Sequence, residues 1–137
     1  MSALNPELLH LQVVGPERML VDEQVSEVQI PARDGYIGVL PGHAPLLSAL
    51  KPGGVLTYVA GGQTKKLAVY GGFVEVLATS ARVLADGAEF GAEIKKDAAQ
   101  ARLAAAAKAA EQISQDTDQQ AAQDELLRAQ AAVEAAS

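Results

Sequence analysis

The sequence contains no cysteine and no tryptophan, and only five aromatic residues: Tyr36, Tyr58, Tyr70, Phe73 and Phe90. Without cysteine there can be no disulfide, no thiolate metal site and no cysteine nucleophile. With so few rings, any core must be built from aliphatic side chains. Only two histidines are present, His10 and His43, 33 positions apart. No serine or acid is spaced with either to suggest a relay, and no Asp/Glu/His group has metal-ligand spacing. No window approaches 18 apolar residues free of charge, so no membrane span is expected. Met1 to Glu7 hold neither a basic region nor an apolar run, and no signal peptide is expected from them. Basic charge is scarce as well. Eleven Lys and Arg stand against 17 Asp and Glu, a net charge of −6, which argues against a nucleic-acid partner.

What is present falls into two parts. The first, residues 1–90, is a run of short β-like segments. Leu9, Leu11 and Val13 alternate with His10, Gln12 and Val14 until Gly15-Pro16 stops the run. A short strand over Met19 to Val21 follows, and then Ser26 to Ile30, ended by Pro31. Arg33-Asp34-Gly35 is a turn signature. Further runs are expected over Tyr36–Leu40, Leu46–Leu50, Val55–Val59, Leu67–Tyr70, Phe73–Leu77 and Arg82–Ala85, separated by Gly- and Pro-containing turns. Turn signals every eight to twelve residues point to a sandwich or barrel. The paired glycines at 53-54, 61-62 and 71-72 match no P-loop and suit hairpin turns.

The densest turn chemistry lies in Gly38-Val39-Leu40-Pro41-Gly42-His43-Ala44-Pro45-Leu46-Leu47. Two prolines remove two backbone donors, so this stretch is a stiff corner between strands. His43 within it is either a turn residue closing a local hydrogen bond or a contact residue at a partner surface. His10 fits an ordinary strand-face position.

The second part, residues 91–137, is helical. From Ala98 to Ser137 there are 16 alanines in 40 residues, with no Gly, Pro or aromatic. Asp97 with Gln100 forms a candidate cap for a first helix ending at Ile113, and Thr117 with Gln120 repeats the pattern for a second, to about Ala135. Ala99, Leu103, Ala106, Ala110 and Ile113 share one face of the first, and Ala122, Leu126, Ala129 and Val133 one face of the second. A connection of about five residues, Ser114 to Asp118, makes them antiparallel. The fold class is therefore α+β: an N-terminal antiparallel β-sandwich followed by a C-terminal antiparallel two-helix hairpin. Because the hairpin stripe is mostly alanine, it is expected to be only weakly held and therefore movable.

On chemistry alone this is a binding or assembly protein. The runs Asp34 to Leu47, Leu50-Lys51-Pro52-Gly53, Gly71 to Val76 and Val13 to Arg18 together resemble the epsilon subunit of the bacterial F-type ATP synthase, the family that includes the mitochondrial delta subunit. The resemblance covers essentially the whole chain. It implies a non-catalytic rotor subunit of the central stalk. Its sandwich would bind the gamma subunit and the c-ring. Its helices would fold against the sandwich, or extend toward the alpha and beta catalytic subunits and inhibit ATP hydrolysis. It also implies peripheral placement on the cytoplasmic side of the inner (plasma) membrane. By position, Arg33, Asp34, Tyr36 and His43 match the c-ring-facing contact, with Tyr36 standing where relatives often carry an acid. Asp97, Arg102, Lys108 and Arg128 belong to the regulatory helices.

Two departures from the family pattern have consequences. Some relatives bind ATP through Ile/Leu-Asp-x-x-Arg-Ala; here Gln100 stands in place of that Arg, and Arg102 would point about 200° away around the helix. ATP binding is therefore expected to be weak or absent, and no cofactor is expected. The second helix offers only Arg128 against Asp124, Glu125 and Glu134, so inhibition through an acidic partner segment should be weak. The alternatives are a free-standing sandwich module for a ligand or peptide and, less well supported, an enzyme.

Overall fold

A computed structural model describes residues 7–112 and 118–137. Ile113, the Ser114–Asp118 connection and the Thr117 cap position lie at or within the undescribed gap, and their expectations fall outside the described residues.

Ten strands precede two helices. They are β1 (Leu9–Val14), β2 (Met19–Val25), β3 (Glu27–Ala32), β4 (Gly35–Val39), β5 (Leu46–Ala49), β6 (Gly54–Ala60), β7 (Gln63–Val69), β8 (Gly72–Val76), β9 (Ser80–Ala85) and β10 (Ala88–Phe90). A 3-10 turn at Gly91–Glu93 leads to α1 (Lys96–Gln112) and α2 (Asp118–Ala136). The strands form two five-stranded sheets: sheet A in the order β2-β1-β9-β8-β5, and sheet B in the order β10-β7-β6-β3-β4. All pairings are antiparallel except β1 with β9, which run parallel.

The alternation in the sequence sorts side chains between the sheets. Leu9, Leu11 and Val13 of β1 meet Val28 and Ile30 of β3, Leu56 of β6 and Leu67 of β7 in one core, all at or near zero exposure. That core is aliphatic apart from the ring of Tyr58. The Tyr58 hydroxyl reaches across to the other sheet and donates to Glu23 Oε2 on β2 at 3.0 Å. Burial and the adjacent Glu23 carboxylate push the Tyr58 phenol far above its ordinary value.

Three local expectations are corrected. Pro31 does not end β3, which runs on to Ala32. β6 pairs with β3 only from Glu27 to Gln29, so no neighbour on that side requires the amide Pro31 lacks, while its carbonyl accepts from Lys51 N–H at 2.9 Å. β2 extends through Asp22-Glu23-Gln24 because Val25 is needed in the core. Asp97 is not a cap: the Ala99 N–H already donates to the Lys95 carbonyl at 2.9 Å, so Asp97 lies inside the first turn, where its charge complements the helix dipole.

Candidate functional site

The two sheets expose very different outer faces. On sheet B the face is covered by the chain itself. Val55 of β6 and Ala68 of β7 are buried under Ala131 and Ala135 of α2, flanked by Tyr70 and Ile94. The approach is close enough to involve backbone. A Cβ on Gly53 would lie 2.5 Å from Arg128 Cα, and one on Gly91 would lie 2.0 Å from the Ala135 carbonyl oxygen. Neither glycine has a positive φ, so each is small for the sake of the helix above it. α1 then packs over α2. Arg102 opposite Glu125, and Lys96 and Gln100 lining one cleft with Val133 and Ala136, show that the helices are antiparallel. The hairpin is folded down against the sandwich. α2 carries two stripes: the one expected from sequence, and a second, Ala131 and Ala135, that faces the sheet.

On sheet A no helix among the described residues covers the outer face. Ladder registers align Ala49 with Phe73, Phe73 with Leu84, Leu84 with Val14 and Val14 with Met19, one residue from each strand. This apolar row crosses the whole sheet. Phe73 is 59% exposed and Leu84 51%. Leu47, on the edge strand, is 74% exposed, and Leu77 extends the face beyond β8. Beside the apolar row a second row runs from Leu47 through the polar residues Glu75, Arg82, Gln12 and Asp22, in which Arg82 Nε donates to Gln12 Oε1 at 3.2 Å. His10 lies on the same face and is hydrogen-bonded to Asp22. Contiguous large apolar side chains left in water mark an interaction surface.

The four residues assigned to a single contact end are separated. Arg33 and Asp34 are exposed at the β3–β4 turn, where the Arg33 N–H donates to the Ala49 carbonyl. Tyr36 follows on β4, half exposed. Its hydroxyl accepts from Val55 N–H at 3.1 Å, and Lys51 Nζ lies 5.2 Å from its ring centre, so the ring also pins the turn to β6. His43 lies beyond the other end of β4, in the corner. There the Gly42 N–H donates to the Ala78 carbonyl at 2.7 Å, and His43 Nδ1 donates to the Ala44 carbonyl at 2.6 Å. The turn and the corner occupy opposite ends of the sandwich, and His43 shares its end with Leu77 and Leu47 rather than with Arg33.

The helical candidates are also separated. Asp97 and Lys108 are exposed on α1, and Arg128 is half-buried on α2 with its backbone over Gly53. Arg102 is engaged: its Nε and Nη2 donate to the two carboxylate oxygens of Glu125 at 2.7 and 2.9 Å. That guanidinium holds the Glu125 carboxyl below the ordinary carboxylate range. Sequence reasoning missed this pair, the two docking glycines and the apolar row. Only the last had a signal: β8 and β9 carry apolar residues at both alternating phases, as strands covered on two sides do.

Among the described residues there is no cluster of metal-ligating side chains and no helix long and apolar enough to cross a membrane. A sandwich with one self-covered face and one bare apolar face is built to bind a partner. Comparison with known proteins gives its family. Residues 8–91 match the family model described as ATP synthase, Delta/Epsilon chain, beta-sandwich domain, and the chain belongs to that family, the epsilon-type rotor subunits of ATP synthase. The ATP synthase epsilon chain of Solibacter usitatus is 56% identical over 98 residues, 72% of each chain. That of Granulibacter bethesdensis is 41% identical over 128 residues, 92% of this chain and 95% of the relative, a span that must include much of the hairpin. A chain in the Euglena gracilis mitochondrial ATP synthase (OSCP/F1/c-ring) shares the fold with a TM-score of 0.80 at 24% identity, over 96% of this chain and 82% of that one. This membership sets aside the free-standing module and the enzyme.

Proposed function

We propose that this subunit joins the rotor by seating the gamma subunit on the outer face of sheet A and by turning the β3–β4 end toward the c-ring. The observation that carries the reading is the apolar row Ala49–Phe73–Leu84–Val14–Met19. Burying each large side chain in it is worth about 1.5–3 kcal/mol, enough to offset part of the cost of association. Arg33 and Asp34 then offer charge at the end facing the ring, with Tyr36 holding their turn. His43 marks the far end of the gamma-facing side. The subunit itself is peripheral, held to the inner (plasma) membrane through the complex and on its cytoplasmic side.

The folded-down hairpin is the resting position of a weak brake. Extended, it would reach the alpha and beta subunits with Arg128, Arg102 and Lys108 as its main cations. Nucleotide has little to hold here. Gln100 is exposed, and the one guanidinium nearby, Arg102, is already forked on Glu125. A titration of the free chain with ATP is expected to show no micromolar affinity; tight binding would refute this part.

The test of the docking face is Phe73→Asp with Leu84→Lys, opposite charges at facing ladder positions. Both side chains point to water in the free chain, so the sandwich should fold normally. Binding to gamma should fall at least a hundredfold, and the subunit should be lost from the purified complex. Unchanged binding would place gamma elsewhere. Cutting the chain after Phe90 should raise ATP hydrolysis only slightly; a large rise would show a strong brake.

A further inference from the structure

The two helices are held by different forces. α2 is seated on sheet B through apolar and backbone contacts, with Ala131 and Ala135 over Val55 and Ala68, and Gly53 and Gly91 beneath it. α1 lies over α2 and buries only Ala99 and Ala106. Arg102 ties it down. The Arg102 guanidinium forks onto Glu125 of α2, and its central carbon lies 5.5 Å from the ring centre of Tyr70. The Tyr70 hydroxyl in turn donates to Glu89 Oε2 on β10 at 2.6 Å. Glu125, Arg102, Tyr70 and Glu89 thus form one connected chain in which Arg102 ties α1 both to α2 and, through Tyr70, directly to the sandwich. Among the described residues no other ion pair reaches α1 from another element.

The two attachments should respond differently to conditions. The Arg102 and Glu125 side chains are 37% and 41% exposed, so salt screens them. The α2 seat is mainly apolar, with a charged contact only at its C-terminal end, where Lys66 Nζ of β7 donates to the Ser137 carbonyl oxygen at 2.8 Å, so salt should loosen it far less. We propose that Arg102 is the latch of α1 and that the hairpin releases in two stages, α1 first, with α2 still seated on sheet B. This deepens the brake reading of the hairpin and rests on it for its regulatory meaning. The latch itself is a property of the free chain, and the test is made there.

The experiment is hydrogen exchange on the full chain, read separately for α1, α2 and the strands. An isolated 17-residue helix is marginal even when rich in alanine, so a released α1 exchanges quickly. Arg102→Gln and Glu125→Gln are each expected to speed exchange in α1 about fivefold, with α2 and the strands unchanged. The double variant should be no faster than Arg102→Gln alone, because Arg102 makes every contact of the latch. Raising salt toward 1 M should speed α1 in the native chain and have little effect in the variants. The proposal is overturned if α1 is unaffected by either substitution. It is equally overturned if α1 and α2 accelerate together, since the hairpin would then open as one unit. Hydrolysis by the assembled complex tests the brake reading independently, so the two can fail separately.

Discussion

Gly53→Ala should lift α2 from the sandwich while leaving the sandwich intact. The added methyl carbon would sit 2.5 Å from Arg128 Cα and N and from the Leu127 carbonyl carbon. Ordinary carbon contacts are about 3.5–4.0 Å, so the helix must back away by about 1 Å or more. Backbone cannot swing aside as the tip of a side chain can. Overpacking of this kind costs about 1–3 kcal/mol. The seat has little to set against that. Each buried alanine methyl contributes roughly 0.8 kcal/mol, and Ala129, Ala131, Ala132 and Ala135 are the buried residues of α2. A loss of this size shifts the docked population five- to over a hundredfold, at about 1.4 kcal/mol per factor of ten. Hydrogen exchange read over residues 118–136 should therefore accelerate by roughly that factor, while β1, β3 and β6 keep their protection. Gly38→Ala is the control. Its new carbon meets nothing within 4 Å and its φ is not positive, so it should change neither region. Unchanged protection of α2 in Gly53→Ala would refute the close-docking argument. A parallel loss in the strands would mean Gly53 serves the sandwich instead.

Other substitutions probe other links. Gly72→Ala should prevent stable folding or cost at least about 3 kcal/mol, because φ is +121° and the new carbon would lie 2.0 Å from the Leu84 carbonyl oxygen; urea denaturation measures it. Tyr58→Phe should cost about 1–2 kcal/mol in the same assay by deleting the hydrogen bond to Glu23 that joins the two sheets; no loss would show the bond adds nothing beyond packing. The Glu125 carboxyl titrates below its ordinary value of 4.5 because Arg102 faces it. Its contribution to holding α1 is therefore fully present above that value and fades as pH falls through the lower folded value. Glu125→Gln should remove this acid sensitivity of α1 exchange. At the alkaline end, burial and Glu89 raise the Tyr70 phenol, so stability should decline as pH rises past the ordinary value of 10.0, and Tyr70→Phe should blunt that decline in a thermal melt.

Nine of the ten strands were legible because a half-buried strand writes its alternation into the sequence, as Leu9, Leu11 and Val13 do. β10 was not: Ala88-Glu89-Phe90 is too short to show a period, and only its pairing with Leu67–Val69 of β7 makes it a strand. The parallel pairing of β1 with β9 was equally hidden, since it joins residues some 70 positions apart and leaves no local mark. The sheet-facing stripe of α2 escaped notice because alanine carries little hydropathy signal on any face. Of the site, the Arg33–Tyr36 turn and the corner around His43 were visible as turn chemistry, and the strand read between them already set them at its two ends; it was the resemblance that grouped them in one contact.

The contrast between the two outer faces follows from what each must release. A face covered by its own chain meets its partner at a high effective concentration, so a thin alanine seat over glycine is enough to keep it closed and weak enough to open. A face that must capture a separate subunit has no such advantage and must offset the translational and rotational cost of association. That requires bulk, and sheet A supplies Phe73, Leu84, Met19 and Leu47 where sheet B has Val55 and Ala68. Exchanging these chemistries would reverse the behaviour. Large side chains under α2 would fix the hairpin shut, and alanine on sheet A would let the subunit fall from the rotor. On the proposed reading, the apolar row that the free chain leaves in water and the meagre seat under its helix are two parts of one arrangement, a permanent attachment on one side and a reversible one on the other.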